Sequence, residues 1–150
     1  MVYNGVQDRA YNTAVIATVR NTVELVDGYI AANDSYPYRN PGGSATYCAT
    51  NDDTCQFWGW FIGGRSTALL SNLATIGTPP SAPSGKTDVG NYGVGYEYDP
   101  SATWNGQPQP VTIVYSLKGT GTDCGLPNSN IGTVNNGTIQ CTMHIDGPST

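Results

Sequence analysis

The chain has 150 residues, 11 acidic and 6 basic, for a net charge of -5, which is room for one domain and no second core. Leu, Ile, Val and Phe number only 27 while Gly and Pro together number 29, a composition of turns and short strands that excludes a helical bundle. The 10 Tyr and 3 Trp supplement a thin aliphatic core, and the lack of clustered cations excludes a dedicated nucleic-acid groove.

From about Val6 to Asn33 the sequence has no Pro and shows helical periodicity. At about 100° per residue, Tyr11, Val15, Ile16, Val19, Val23, Val26 and Ile30 fall on one side, and Arg9, Thr13, Arg20, Glu24 and Asp27 on the other. The apolar arc covers roughly 200°, wider than the ~100° that one packed face needs. Part of it is therefore expected to meet something outside its own domain. At ~1.5 Å per residue the segment reaches on the order of 40 Å, long for a domain of this size. Tyr36-Pro37 ends it, because the residue before Pro is driven out of the α region.

The stretch from Arg39 to about Gly64 is rich in Gly and Asn, reads as an irregular loop, and carries Cys48 and Cys55; Cys124 and Cys141 lie in a second such region. Four cysteines allow three connectivities. Local pairing, Cys48 with Cys55 and Cys124 with Cys141, is favoured because each pair lies within one loop, where a staple is worth roughly 2.5 to 3 kcal/mol. With one His and no C-x-x-C pair, zinc is not indicated. Disulfides point to an oxidising compartment, hence to export. Neither a signal peptide nor a membrane-spanning run is present, and Met1 opens in mid-helix pattern. The expectation is that an N-terminal targeting or membrane segment has been removed.

A short helix is predicted from about Ser66 to Ile76, with Leu69, Leu70, Leu73 and Ile76 as its apolar face and Ser66 as N-cap. Residues 79–85, rich in Pro, form a connector. Three strands follow, at Val94–Tyr98, Val111–Leu117 and Thr138–Ile145; the last two alternate cleanly. One-sided alternation predicts an antiparallel sheet with one packed face and one wet face. The expected fold is α+β: one unit, a long N-terminal amphipathic helix (6–34) on a sheet of three or four antiparallel strands (89–146), joined by a connecting loop with a short helix (35–88).

In that order, the segments AVIATVRNTVELVDGYIAANDSYP (14–37), LLSNLATIGTPPSAPSG (69–85), Tyr96-Glu97-Tyr98 and VTIVYSLK (111–118) resemble a type IV pilin or a related pseudopilin. The likeness lies in the order of elements across nearly the whole chain, and no single motif carries it. It implies a non-enzymatic subunit of an extracellular filament, anchored in the inner membrane before assembly through an apolar helix half absent from this chain. It further implies that the seven apolar helix residues above assemble copies of the chain, and that the Cys124–Cys141 loop is the disulfide-bounded region near the pilin C-terminus. The partners would be other copies, the membrane assembly machinery and host-cell surfaces or glycans; the roles would be attachment, twitching motility or DNA uptake. Two alternatives stand beside this: a type II secretion pseudopilin, and a secreted carbohydrate- or surface-binding module.

No catalytic constellation is visible. His144 alternates onto the wet face and reads as a surface histidine. Gly64-Arg65-Ser66-Thr67-Ala68 lacks the second Gly of a nucleophile elbow, and the loop 119–125 precedes no helix that could cradle phosphate. Glu97 and Asp99 share a strand face; they read as solvated carboxylates, with calcium ligation as the sharper alternative, and no other cofactor is expected. In the run Phe57-Trp58-Gly59-Trp60-Phe61, Trp58 and Trp60 read as core plugs or as a contact surface. Trp104, in a hairpin tip, is the best candidate for exposure.

Overall fold

The computed structural model describes residues 2–121 and 123–148; Met1, Thr122 and the last two residues, and the readings that touch them, lie outside that range. Helix α1 (Val2–Asn33) is followed by β1 (Ala45–Cys48), β2 (Thr54–Phe57), β3 (Phe61–Arg65) and α2 (Thr67–Ala74). Then come β4 (Gly95–Tyr98), the small hairpin β5 (Thr103–Trp104) and β6 (Gln107–Pro108), β7 (Val111–Lys118), β8 (Ser129–Asn135) and β9 (Thr138–His144). Seven strands form one sheet in the order β2-β3-β1-β4-β7-β9-β8. The β1–β3 pair is parallel and the other pairs are antiparallel.

This corrects the expected architecture. Instead of a long helix on three or four antiparallel strands, the chain is mostly β, a curled, half-barrel mixed sheet of seven strands with α1 against it. Three of the added strands, β1, β2 and β3, come from the segment read as an irregular loop, and β8 comes from the Gly/Asn-rich excursion before β9. Their sequences hide them because Gly63 fills a buried position where an apolar residue would signal alternation, and Gly64 and Gly132 further dilute the strand pattern.

The expectation of one wet face is also overturned. Val111, Ile113, Tyr115 and Leu117 face the main core beneath α1, but Val114 on the opposite side of β7 is also fully buried. It packs with Phe57 and the bridged Cys48 and Cys55. Three strands separate β2 from β7 in the sheet, so Phe57 can reach Val114 only if the sheet curls back over itself. Strand twist accumulates to that effect. Gly95 makes room for the contact: a Cβ there would lie 2.6 Å from the Phe57 ring.

On α1, Tyr11, Val15, Val19 and Val26 are buried in the main core, and Ile16, Val23 and Ile30 pack against its margin. All seven are thus buried or half-buried within the chain's own fold. The helix lies in a trough. β7 supplies the floor, Ile76 and Gly77 approach Gly28 and Leu25 on one flank, and Gly125 approaches Ile16 on the other. Three walls need a wider arc than one face does.

Both disulfides are present, Cys48–Cys55 and Cys124–Cys141. The first ties β1 to β2, and the second ties the 119–128 loop to β9. Ser66 caps α2 by accepting from the Leu69 amide at 3.2 Å. No helix is long and apolar enough to cross a membrane among the described residues.

Candidate functional site

The outer face of β9 carries Thr138, Gln140, Thr142 and His144, and the three tryptophans gather over it in two places. The first is built on the turn between β2 and β3. Trp58 and Gly59 have φ of 56° and 76°, and the Trp60 amide donates to the Phe57 carbonyl at 3.3 Å; two successive left-handed residues are the mark of a type I′ turn. Gly adopts that conformation freely, whereas a bulky residue such as Trp58 does so only under constraint from its surroundings.

The constraint is a buried amide network. The Gly59 amide donates to Asn91 Oδ1 at 2.8 Å and the Trp58 amide donates to Gln140 Oε1 at 3.4 Å. Asn91 Nδ2 donates to Gln140 Oε1 and Ser116 Oγ, both at 3.0 Å, and the Ser116 hydroxyl donates to Gln140 Oε1 at 2.7 Å. The Gly59 amide sets the orientation of Asn91, Asn91 in turn sets that of Gln140, and Gln140 Nε2 is left facing away from the network with no partner. Thr138 Oγ1 is likewise buried and unpartnered.

These residues enclose a cavity of about 240 Å³, lined by Trp58, Trp60, Val89, Asn91, Thr138 and Gln140 and closed by Gly59 and Asn135. Trp60 is 75% exposed, while Trp58 is half-buried against Phe57 and Phe61. The two indoles are 6.4 Å apart at 37°. Trp58 is thus partly a core plug, and Trp60 stands open to solvent. Sequence reading singled out the tryptophans but missed Asn91, Thr138 and Gln140. Two polar residues on the outward register of a strand look solvated until something is known to cover them.

The second place is the end of β9. Trp104 lies flat on His144, ring centroids 3.8 Å apart at 17°. His144 is therefore no surface histidine: both ring nitrogens are buried without partners, and burial pushes its pKa below the ordinary imidazole value. Trp104, 37% exposed, gives one ring face to His144. About 13 Å of strand separates Gln140 from His144, so the three tryptophans do not form one platform.

Glu97, half-buried, and Asp99 line a shallow hollow with Tyr47 and Phe61. Burial, then the neighbouring Asp99, pushes the Glu97 pKa up. Asp99 is pulled down by Ser101, whose hydroxyl and amide both donate to Oδ1, at 2.7 and 3.0 Å. That oxygen already closes a local turn. Among the described residues no group of three or more His, Cys, Asp or Glu is placed to hold a metal. Asp52 Oδ2 accepts from the Ala82 amide at 2.9 Å, and Asp53 is an exposed partner of Arg65 at 4.0 Å; such an exposed pair contributes little.

Comparison with family models, with curated proteins and with solved structures gives no match to this chain.

Proposed function

We propose that the protein is a subunit of a type IV pilus-like extracellular filament and that it assembles through its N-terminal helix. The observation that supports this reading is that α1 outruns the sheet. Asn12 is bonded to Lys118, the last residue of β7, so the N-terminal turns of α1 run beyond the end of that strand. Gly5 has nothing within 4 Å of where a side chain would begin, and Gln7, Arg9 and Ala10 are exposed. A helix extending past its own core offers surface to another molecule.

The assembly surface in this reading differs from the apolar arc, which the chain's own core occupies. It is the outward side of α1, where Ala10, Thr13, Ala14 and Ala17 are exposed; small side chains let a neighbouring helix approach closely. Two disulfides suit an extracellular setting.

Immunogold electron microscopy of the native cells, with antibody raised against this chain, tests the proposal. Gold along surface filaments, lost on deletion of the gene, supports it; labelling confined to the cell body or medium overturns it. The deletion strain, scored for attachment, twitching, DNA uptake and protein secretion, separates the pilus roles from a pseudopilin role.

A further inference from the structure

We propose that the cavity between Trp60 and the start of β9 binds a single neutral sugar residue, an assignment independent of the filament reading. Four observations converge on that ligand class. The lining contains no charged side chain, which disfavours ionic ligands, since a buried ion needs a partner. Trp60 presents an indole that is 75% exposed at the cavity mouth, a flat apolar surface of the kind that the C–H face of a pyranose covers.

Behind that surface, Gln140 Nε2 and Thr138 Oγ1 are unpartnered, in residues each only 3% exposed. An unpaired buried donor is costly, and a ligand that brings oxygen acceptors past the aromatic rim relieves that cost. A purely apolar ligand would leave both atoms unpaired; a ring bearing hydroxyls satisfies both requirements. Finally, the cavity of about 240 Å³ lies below the ~300–1,000 Å³ of drug-sized pockets, a size for one ring rather than a chain.

The geometry also fixes the pose. The indole centroids are 6.4 Å apart, and a ring held between two aromatics at carbon contacts of ~3.5–4.0 Å would need about 7 Å or more. The sugar therefore lies on the free face of Trp60, not between the two tryptophans. Trp58 serves as the rear wall, and its strained backbone, held by Gln140, sets the angle of the turn. Asn135, exposed at the rim, adds an amide for a hydroxyl at the mouth.

Titration of the folded chain with neutral hexoses and N-acetylhexosamines, and in parallel with uronic and sialic acids, followed by NMR of the indole N–H signals, tests the assignment. A neutral sugar is expected to shift the Trp58 and Trp60 signals and leave that of Trp104 in place. Trp60→Ala, a change at an exposed position, is expected to weaken binding about tenfold or more. Thr138→Val is expected to weaken it roughly three- to tenfold while keeping or raising thermal stability, because the hydroxyl it removes has no partner in the folded chain. Trp104→Ala is expected to bind as the wild type does. The proposal is overturned if no neutral sugar shifts these signals at millimolar concentration, if acidic sugars bind in preference, or if W60A binds unchanged.

Discussion

Asn12 and Lys118 are joined by two hydrogen bonds of 2.8 Å, one in each direction: Asn12 Nδ2 donates to the Lys118 carbonyl and the Lys118 amide donates to Asn12 Oδ1. β4 accompanies β7 only as far as Val114, so the edge of β7 beyond that residue is open, and a helix side chain pairs with it as a strand would. The same two residues fix how far α1 runs past the sheet. Asn12→Ala is expected to cost roughly 1–2 kcal/mol in urea unfolding, and Asn12→Asp more, because a carboxylate cannot donate to the carbonyl. Asn21→Ala, on the exposed side of α1, should change little.

The curl of the sheet depends on Phe57 lying against Gly95. Gly95→Ala is expected to displace that ring and cost about 1–3 kcal/mol, the usual penalty for overpacking. Gly64→Ala, where a Cβ would meet nothing within 4 Å, should unfold at nearly the wild-type denaturant midpoint. Equal midpoints for the two variants would contradict the second core.

His144 makes stability depend on pH. Its folded pKa lies below the ordinary value, so the unfolded chain binds the proton first. Its contribution is complete above the ordinary imidazole value of about 6.5 and is lost as pH falls through the depressed folded value. Trp104→Ala uncovers the ring, and the acid-side slope of Tm against pH is expected to flatten in that variant.

Glu97 acts in the opposite sense. Its raised pKa means that the folded chain holds the proton more tightly, so its contribution is present below the ordinary carboxylate range and is lost as pH rises through the folded value. Glu97→Gln is expected to raise Tm at pH 7 and to give no gain at about pH 3, where both states are already protonated.

α1, α2 and the strands β7 and β9 were legible because period 3.6 and period 2 are written mainly in Val, Leu and Ile, and β4 was legible through Val94, Tyr96 and Tyr98. β1, β2 and β3 were not, because their buried positions are filled by Cys48, Cys55, Gly63 and a single Phe, and β8 was not, because Ser, Asn and Gly surround its Ile131 and Val134; these residues also compose loops. One signal was overlooked. Asn136-Gly137, whose φ angles of 46° and 73° turn β8 into β9, is a strong short hairpin mark of the same kind as Asn105-Gly106 and announces the strand before it. The wide apolar arc on α1 packs against the walls of its own fold, which periodicity alone does not show, since it reports how much surface is apolar and not which wall covers it. The candidate site was half visible. Its tryptophans stood out, whereas the amides that hold them come together only when the sheet curls.

Site-specific photo-crosslinking of the full-length protein in its native cells addresses the helix-mediated assembly most directly. A photoreactive residue at Ala14, on the outward side of α1, is expected to yield a ladder of covalent multimers, while the same group at Asp53, remote on the β1–β2 connection, yields far fewer. Monomer alone from the Ala14 position, under conditions where the protein is abundant, would contradict assembly through this helix.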